Sequence, residues 1–108
     1  MKLLTKEVLE KFNEQGDTSE KKAEDIKIIC KFFNPVGVGT WWCYEYIPDD
    51  KVFWCFADLG MPDCAECGTV SLTELEELKL PFGLGIERDI YFPAGKFFLQ
   101  EIIDGKRP

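Results

Sequence analysis

Thr40–Ile47 (TWWCYEYI), Pro48-Asp49-Asp50-Lys51 and Val52–Ala57 (VFWCFA) decide how this chain folds. Two runs dense in aromatic and β-branched residues flank a short cluster of Pro, Asp and Lys, the pattern of a β-hairpin. A hairpin this apolar needs further strands or helices to bury it. Nearly every position of both strands is apolar, so alternation leaves either face available for the core. The register depends on the loop: a three-residue loop sets Cys43 opposite Cys55, and a four-residue loop does not.

Working outward, Ile26–Phe33 (IKIICKFF) reads as a strand, followed by the turn-rich loop Asn34-Pro35-Val36-Gly37-Val38-Gly39. On the other side, residues 59–66 read as an irregular loop with Gly60 and Pro62, and residues 68–70 as a short addition to the sheet. Ser71-Leu72-Thr73-Glu74 is a capping box that opens a helix with Leu72, Leu75 and Leu78 on one side, stopped by Pro81-Phe82-Gly83. A strand over Ile90-Tyr91-Phe92 follows, and Phe97–Ile103 reads as a closing helix or an edge strand, with the helix favoured. At the N-terminus, Thr5 is an N-cap, Glu7 suits the positive end of the helix dipole, and the helix runs to about Gln15 before Gly16 ends it. Asp17–Asp25 is a polar connector, and its start, residues 16–19, is expected to be the least ordered part. The fold expected is one α+β domain over residues 1–108: an antiparallel sheet of about four strands, a flanking capped helix and an N-terminal helix.

With 108 residues, 45% apolar and 15 aromatic, the chain has ample material for one core. The N-terminus meets charged residues at once, at Lys6 and Glu7, and no apolar run approaches the ~20 residues of a membrane span, so a cytoplasmic protein is expected. Five cysteines in such a chain read as reduced thiols. There is no histidine, which excludes Ser-His-Asp and Cys-His catalysis and every His-ligated metal site.

The net charge of −7 is unevenly spread. From Glu45 to Glu77 there are nine acids and one base, Lys51, so this third carries −8 and the remainder is close to neutral at +1. Such a surface opposes direct contact with nucleic acid or acidic membranes and attracts a basic protein partner, including the basic groove of a nucleic-acid enzyme. The plainer use of the same charge is solubility. Aromatics beside these acids would anchor an interface, and the candidate binding face is Trp41, Trp42, Glu45, Asp49, Asp50, Asp58, Asp63 and Glu66. Most of the hairpin aromatics are expected in the core, with one face either a binding surface or covered by the second helix.

Three other constellations compete. Cys64-x-x-Cys67 with Cys43 and Cys55 would make a four-thiolate zinc site if the hairpin brought them together, but strand cysteines more often act as small buried hydrophobes. A redox role for the CxxC is opposed by Asp63 and Glu66 beside it. Gly83-Leu84-Gly85 lacks the third glycine of a phosphate loop, with Arg88 in its place. Glu45, Glu87, Arg88 and Asp89 would form a carboxylate–arginine ligand site or active site if the fold converged them. No cofactor is expected.

The succession Met1-Lys2-Leu3-Leu4-Thr5-Lys6-Glu7, Lys31-Phe32-Phe33-Asn34-Pro35, Trp41/Trp42 with Glu45, Glu66-Cys67-Gly68 before Ser71-Leu72-x-Glu74-Leu75, and Gly83-Leu84-Gly85-Ile86-Glu87-Arg88-Asp89 with Phe92 resembles the family called domain of unknown function 2958. The resemblance spans nearly the whole chain. It implies a small bacterial or phage protein, often carried on mobile elements, and supplies no catalytic residues. Apart from Cys67 in Glu66-Cys67-Gly68, the cysteines are outside the pattern. The reading that results is a non-enzymatic, acidic interaction protein, acting on a basic partner such as a host nucleic-acid enzyme in an anti-defence role. A small enzyme or ligand-binding domain and a zinc-stapled module are the alternatives.

Overall fold

The computed structural model describes residues 2–108. Helix α1 spans Lys6–Gln15; strands β1 (Cys30–Phe33), β2 (Thr40–Ile47) and β3 (Val52–Asp58) follow. Then come β4 (Glu66–Ser71), α2 (Leu72–Glu77), β5 (Glu87–Arg88) and α3 (Leu99–Ile103). The sheet is antiparallel throughout, in the order β4-β3-β2-β1-β5. The architecture is α+β, with five strands where the sequence suggested four. The fifth is the two-residue Glu87–Arg88, which pairs with Phe33 and Phe32. It is too short for any periodicity to announce it. Ile90-Tyr91-Phe92, expected as that strand, is instead a turn: the Asp89 carboxylate accepts from Tyr91 N, and Phe92 N donates to Asp89 O.

The helix starts follow their capping chemistry. Thr5 Oγ1 accepts from Val8 N at 3.3 Å, and Gly16 closes α1 at φ 69° with its N–H on Phe12 O. Ser71 Oγ accepts from Glu74 N at 3.2 Å to open α2. Glu101 reaches back to Phe98 N at 3.0 Å and starts α3, so the closing segment is indeed helical.

The hairpin register corrects the loop argument. The loop has four residues, with Ile47 paired to Val52, yet Cys43 still lies opposite Cys55. A bulge between Cys43 and Glu45 absorbs one residue, Tyr44, and shifts the register back. At this bulge β1 parts from β2: its ladder begins only at Cys30, and Lys27 bridges to Phe98 instead. The Gln15 carboxamide fills the gap. It accepts from Lys27 N at 2.8 Å and donates to Lys27 O at 2.9 Å and Tyr44 O at 2.6 Å, standing in for a missing strand residue.

Both sheet faces are packed. One carries Cys30, Phe32, Cys43, Phe53 and Cys55 under Leu3 and Phe12 of the N-terminal segment and Leu72 and Leu75 of α2. The other carries Trp42, Tyr44 and Phe56 under Ile26, Ile28 and, from α3, Leu99 and Ile102. The second face is therefore covered by the third helix; α2 lies on the first. Burial on this scale is worth roughly 1.5–3 kcal/mol for each large apolar side chain, which is why the hairpin aromatics dominate the fold. Among the described residues, no helix is long and apolar enough to cross a membrane.

Candidate functional site

The eight residues suggested as one acidic and aromatic face are divided by the hairpin. Asp49 and Asp50 sit in the connecting turn, whereas Asp58 pairs with Thr40 at the other end of the strands, roughly 20 Å away at about 3.4 Å per residue. Trp42 is 3% exposed, inside the core, and presents no surface to a partner. Trp42 and Tyr44, two residues apart on β2, share one covered face by the strand period, and the bulge after Cys43 turns Tyr46 onto the opposite face. Asp58 is also occupied: its Oδ2 lies 3.0 Å from Nη1 of Arg107. That guanidinium stands over Phe56 at 4.9 Å and Trp42 at 5.7 Å.

Trp41 and Glu66 remain together, each paired with Ala57 from either side, while Asp63 lies in the loop between β3 and β4. Trp41, Ala57, Leu59, Met61, Cys64 and Val70 line a groove of about 450 Å³. Met61 and Leu59 are 65% and 59% exposed, and Val38, 70% exposed, lies against Gly60 so closely that a Cβ there would meet it at 2.9 Å. The turn over residues 59–61 is thus tied to the loop over 36–39, and three apolar side chains share one patch. Gly60, at φ 97°, donates to Asp58 Oδ1 and makes that turn. β4 is the edge strand, with Glu66, Cys67 and Thr69 exposed and one row of backbone donors and acceptors facing outward. From residue 52 to residue 78 the sequence has six acids and no base, and this stretch forms β3, β4 and α2. Sequence reasoning missed Leu59, Met61 and Val38. Their signal was apolar residues placed in Gly- and Pro-rich loops, where no period directs them inward.

Glu45 lies in a second cleft, of about 720 Å³, walled by Asp17, Thr18, Tyr44, Tyr46 and Trp54. Its Oε1 accepts from Thr18 N at 2.9 Å and Thr18 Oγ1 at 2.6 Å. Residues 16–19, expected to be the least ordered, are therefore pinned to the bulge, and Thr18 is buried. Hydrogen bonds from Ser19, backbone first, hold the Asp17 carboxyl below its ordinary range. Burial pushes the Tyr44 phenol well above its usual value, with the Cys67 thiol beside it adding to the shift.

The carboxylate–arginine set does not converge. Glu87 and Arg88 sit at the opposite edge of the sheet from β3, in register with Phe33 and Phe32, while Glu45 is beyond the point where β1 and β2 separate. Arg88 donates to Leu3 O at 2.9 Å and Lys2 O at 3.3 Å, fastening the N-terminal segment. Asp89 lies 3.8 Å from Lys31 Nζ.

The four-cysteine set is also divided. Cys43 and Cys55 are buried on the α1/α2 face, whereas the Cys67 thiol lies against Tyr44 of the opposite face. Among the described residues, no three His, Cys, Asp or Glu side chains are placed to hold a metal ion. Cys30, Cys43 and Cys55 instead form a row across three strands. Burial, then the flanking thiols, push the Cys43 thiol well above its ordinary value, so it serves as a small apolar core group. Burial also raises the Cys67 thiol, opposite to what a reactive CxxC needs.

The fold and these surfaces define a small α+β protein whose exposed features are a sheet edge and clefts bordered by carboxylates. The chain belongs to the family described as protein of unknown function (DUF2958), whose pattern matches residues 3–104. No curated protein and no solved structure matches it.

Proposed function

We propose that this protein is a non-enzymatic interaction protein that docks a basic, extended segment of a partner protein along β4, with apolar side chains of that segment seated beside Trp41, Leu59 and Met61. The observation that carries it is the exposed Val38–Leu59–Met61 patch next to an unpaired strand edge, in a stretch with six acids and no base. An edge strand supplies main-chain hydrogen bonds, the groove accepts alternate side chains, and Asp63 and Glu66 select for positive charge. The same charge opposes direct binding of nucleic acid or an acidic membrane. The partner class that fits is a basic nucleic-acid enzyme of the host, and the mobile-element setting implied for the family favours an anti-defence role.

The test is capture from nuclease-treated host lysate with the native chain and with L59D/M61D, followed by binding measurements on the purified candidate. A basic protein held by the native chain, weakened at least about tenfold by L59D/M61D and by added salt, supports the reading. Binding that ignores both the double substitution and salt overturns it. Circular dichroism shows whether the variant keeps its fold, as substitutions at exposed positions should.

A further inference from the structure

The chain contains its own example of what one of its surfaces holds. On the α3 face of the sheet, Trp42 and Phe56 are cross-strand neighbours, and Asp58 lies two residues beyond Phe56 on the same side. Arg107 fills this arrangement, its guanidinium 4.9 Å from the Phe56 ring centre, 5.7 Å from that of Trp42, and 3.0 Å from Asp58 Oδ2. One step along the hairpin the same elements recur. Trp54 follows Phe56 by the two-residue strand period, Tyr44 is the bulged residue beside it, and Glu45 stands directly opposite Trp54. Here no lysine or arginine lines the cleft; its charged lining groups are Glu45 and Asp17.

We propose that this second cleft binds a guanidinium group brought by a ligand from outside the chain. Trp54, 38% exposed, offers a flat aromatic face, and a guanidinium stacks on such a face while its edge N–H groups reach a carboxylate. Thr18 N and Oγ1 both bond Oε1 and hold the Glu45 carboxylate at the wall of the cleft that its cross-strand partner Trp54 also lines. A primary ammonium is more strongly hydrated and cannot stack, so the arrangement favours arginine chemistry over lysine chemistry. The cleft lies at the opposite end of the hairpin from the Leu59–Met61 patch and does not depend on the docking role proposed for it.

The test is a titration of the ¹⁵N-labelled native chain with N-acetyl-arginine amide, with N-acetyl-lysine amide, and with an acetylated Gly-Arg-Gly amide peptide. Saturable shifts centred on the Thr18 and Glu45 amides and the Trp54 indole, with a dissociation constant on the order of 1 mM or tighter, are expected for the arginine compounds. The lysine compound should bind at least about fivefold more weakly. If the peptide binds more tightly than the free amide, the source is an arginine within a polypeptide; equal affinity indicates a small guanidinium metabolite. Glu45→Gln keeps the acceptor for Thr18 and removes the charge, and should weaken binding about tenfold or more, whereas L59D/M61D should leave it unchanged. No saturable shift by about 10 mM, equal binding of the lysine compound, or binding indifferent to Glu45→Gln overturns the proposal.

Discussion

Trp42 and Trp54 sit on the same face of the same hairpin, each with an aromatic neighbour and a carboxylate, and they have opposite fates. Trp42 is buried beneath α3 and the Arg107 guanidinium, while Trp54 borders an open cleft. The difference lies in what the rest of the chain reaches. α3 is five residues long, about 7.5 Å at 1.5 Å per residue, against strands roughly three times that length, and it packs over the Trp42 and Phe56 end. The other end is bordered by residues 16–19 instead, which supply hydrogen bonds and no cation. One sheet face is thus core at one end and candidate site at the other.

The sharpest way to break this comparison is to truncate each tryptophan. Trp42→Ala should cost about 3–5 kcal/mol in urea unfolding, because it opens a cavity under α3. Trp54→Ala should cost roughly 1–2 kcal/mol, less than Trp42→Ala because 38% of Trp54 already faces water. Equal costs would mean that α3 does not separate the two ends. Next in size is Glu45→Ala, expected to cost about 2 kcal/mol because the buried Thr18 donors lose their acceptor, with Glu45→Gln well below that. Arg107→Ala should destabilise by about 1–2 kcal/mol, and Arg107→Lys should recover only part of it, since an ammonium keeps the charge but not the stack. The smallest effect concerns pH. The Phe98 backbone N–H, then Lys106, hold the Glu101 carboxyl below its ordinary range. Its contribution is therefore fully present above the usual glutamate value and is lost as pH falls through the depressed folded-state value. Amide exchange of α3 should rise over that acid range in the native chain, and Glu101→Gln should remove this step.

Much of this was legible in the residues. The hairpin, α1 with its Thr5 cap and Gly16 stop, and α2 from its capping box follow from local chemistry that needs no distant partner, whereas Phe97–Ile103 is open to helix or edge strand until α3 is seen on the sheet. The candidate site was legible only in fragments. Glu66 and Trp41 do fall together, because both flank Ala57 in the sheet, and the apolar patch beside them forms where the turn at Gly60 packs on Val38, a contact across more than twenty residues of chain. Trp42 belonged to the core because α3 and Arg107 cover its face, a packing that no local pattern announces. Arg107, at the end of the chain, had no local signal beyond being one of two arginines.

The sequence by itself determined most of the element types, the absence of imidazole chemistry and the concentration of negative charge, because these depend on residue identity and short-range spacing. Only the tertiary structure decided which aromatics are exposed, which carboxylates already hold a cation, and that the cysteines and the Glu45–Glu87–Arg88–Asp89 set do not converge. Those outcomes depend on strand order and on one bulged residue. In a sheet with side-chain period two, a single inserted residue is enough to change the face on which everything beyond it lands.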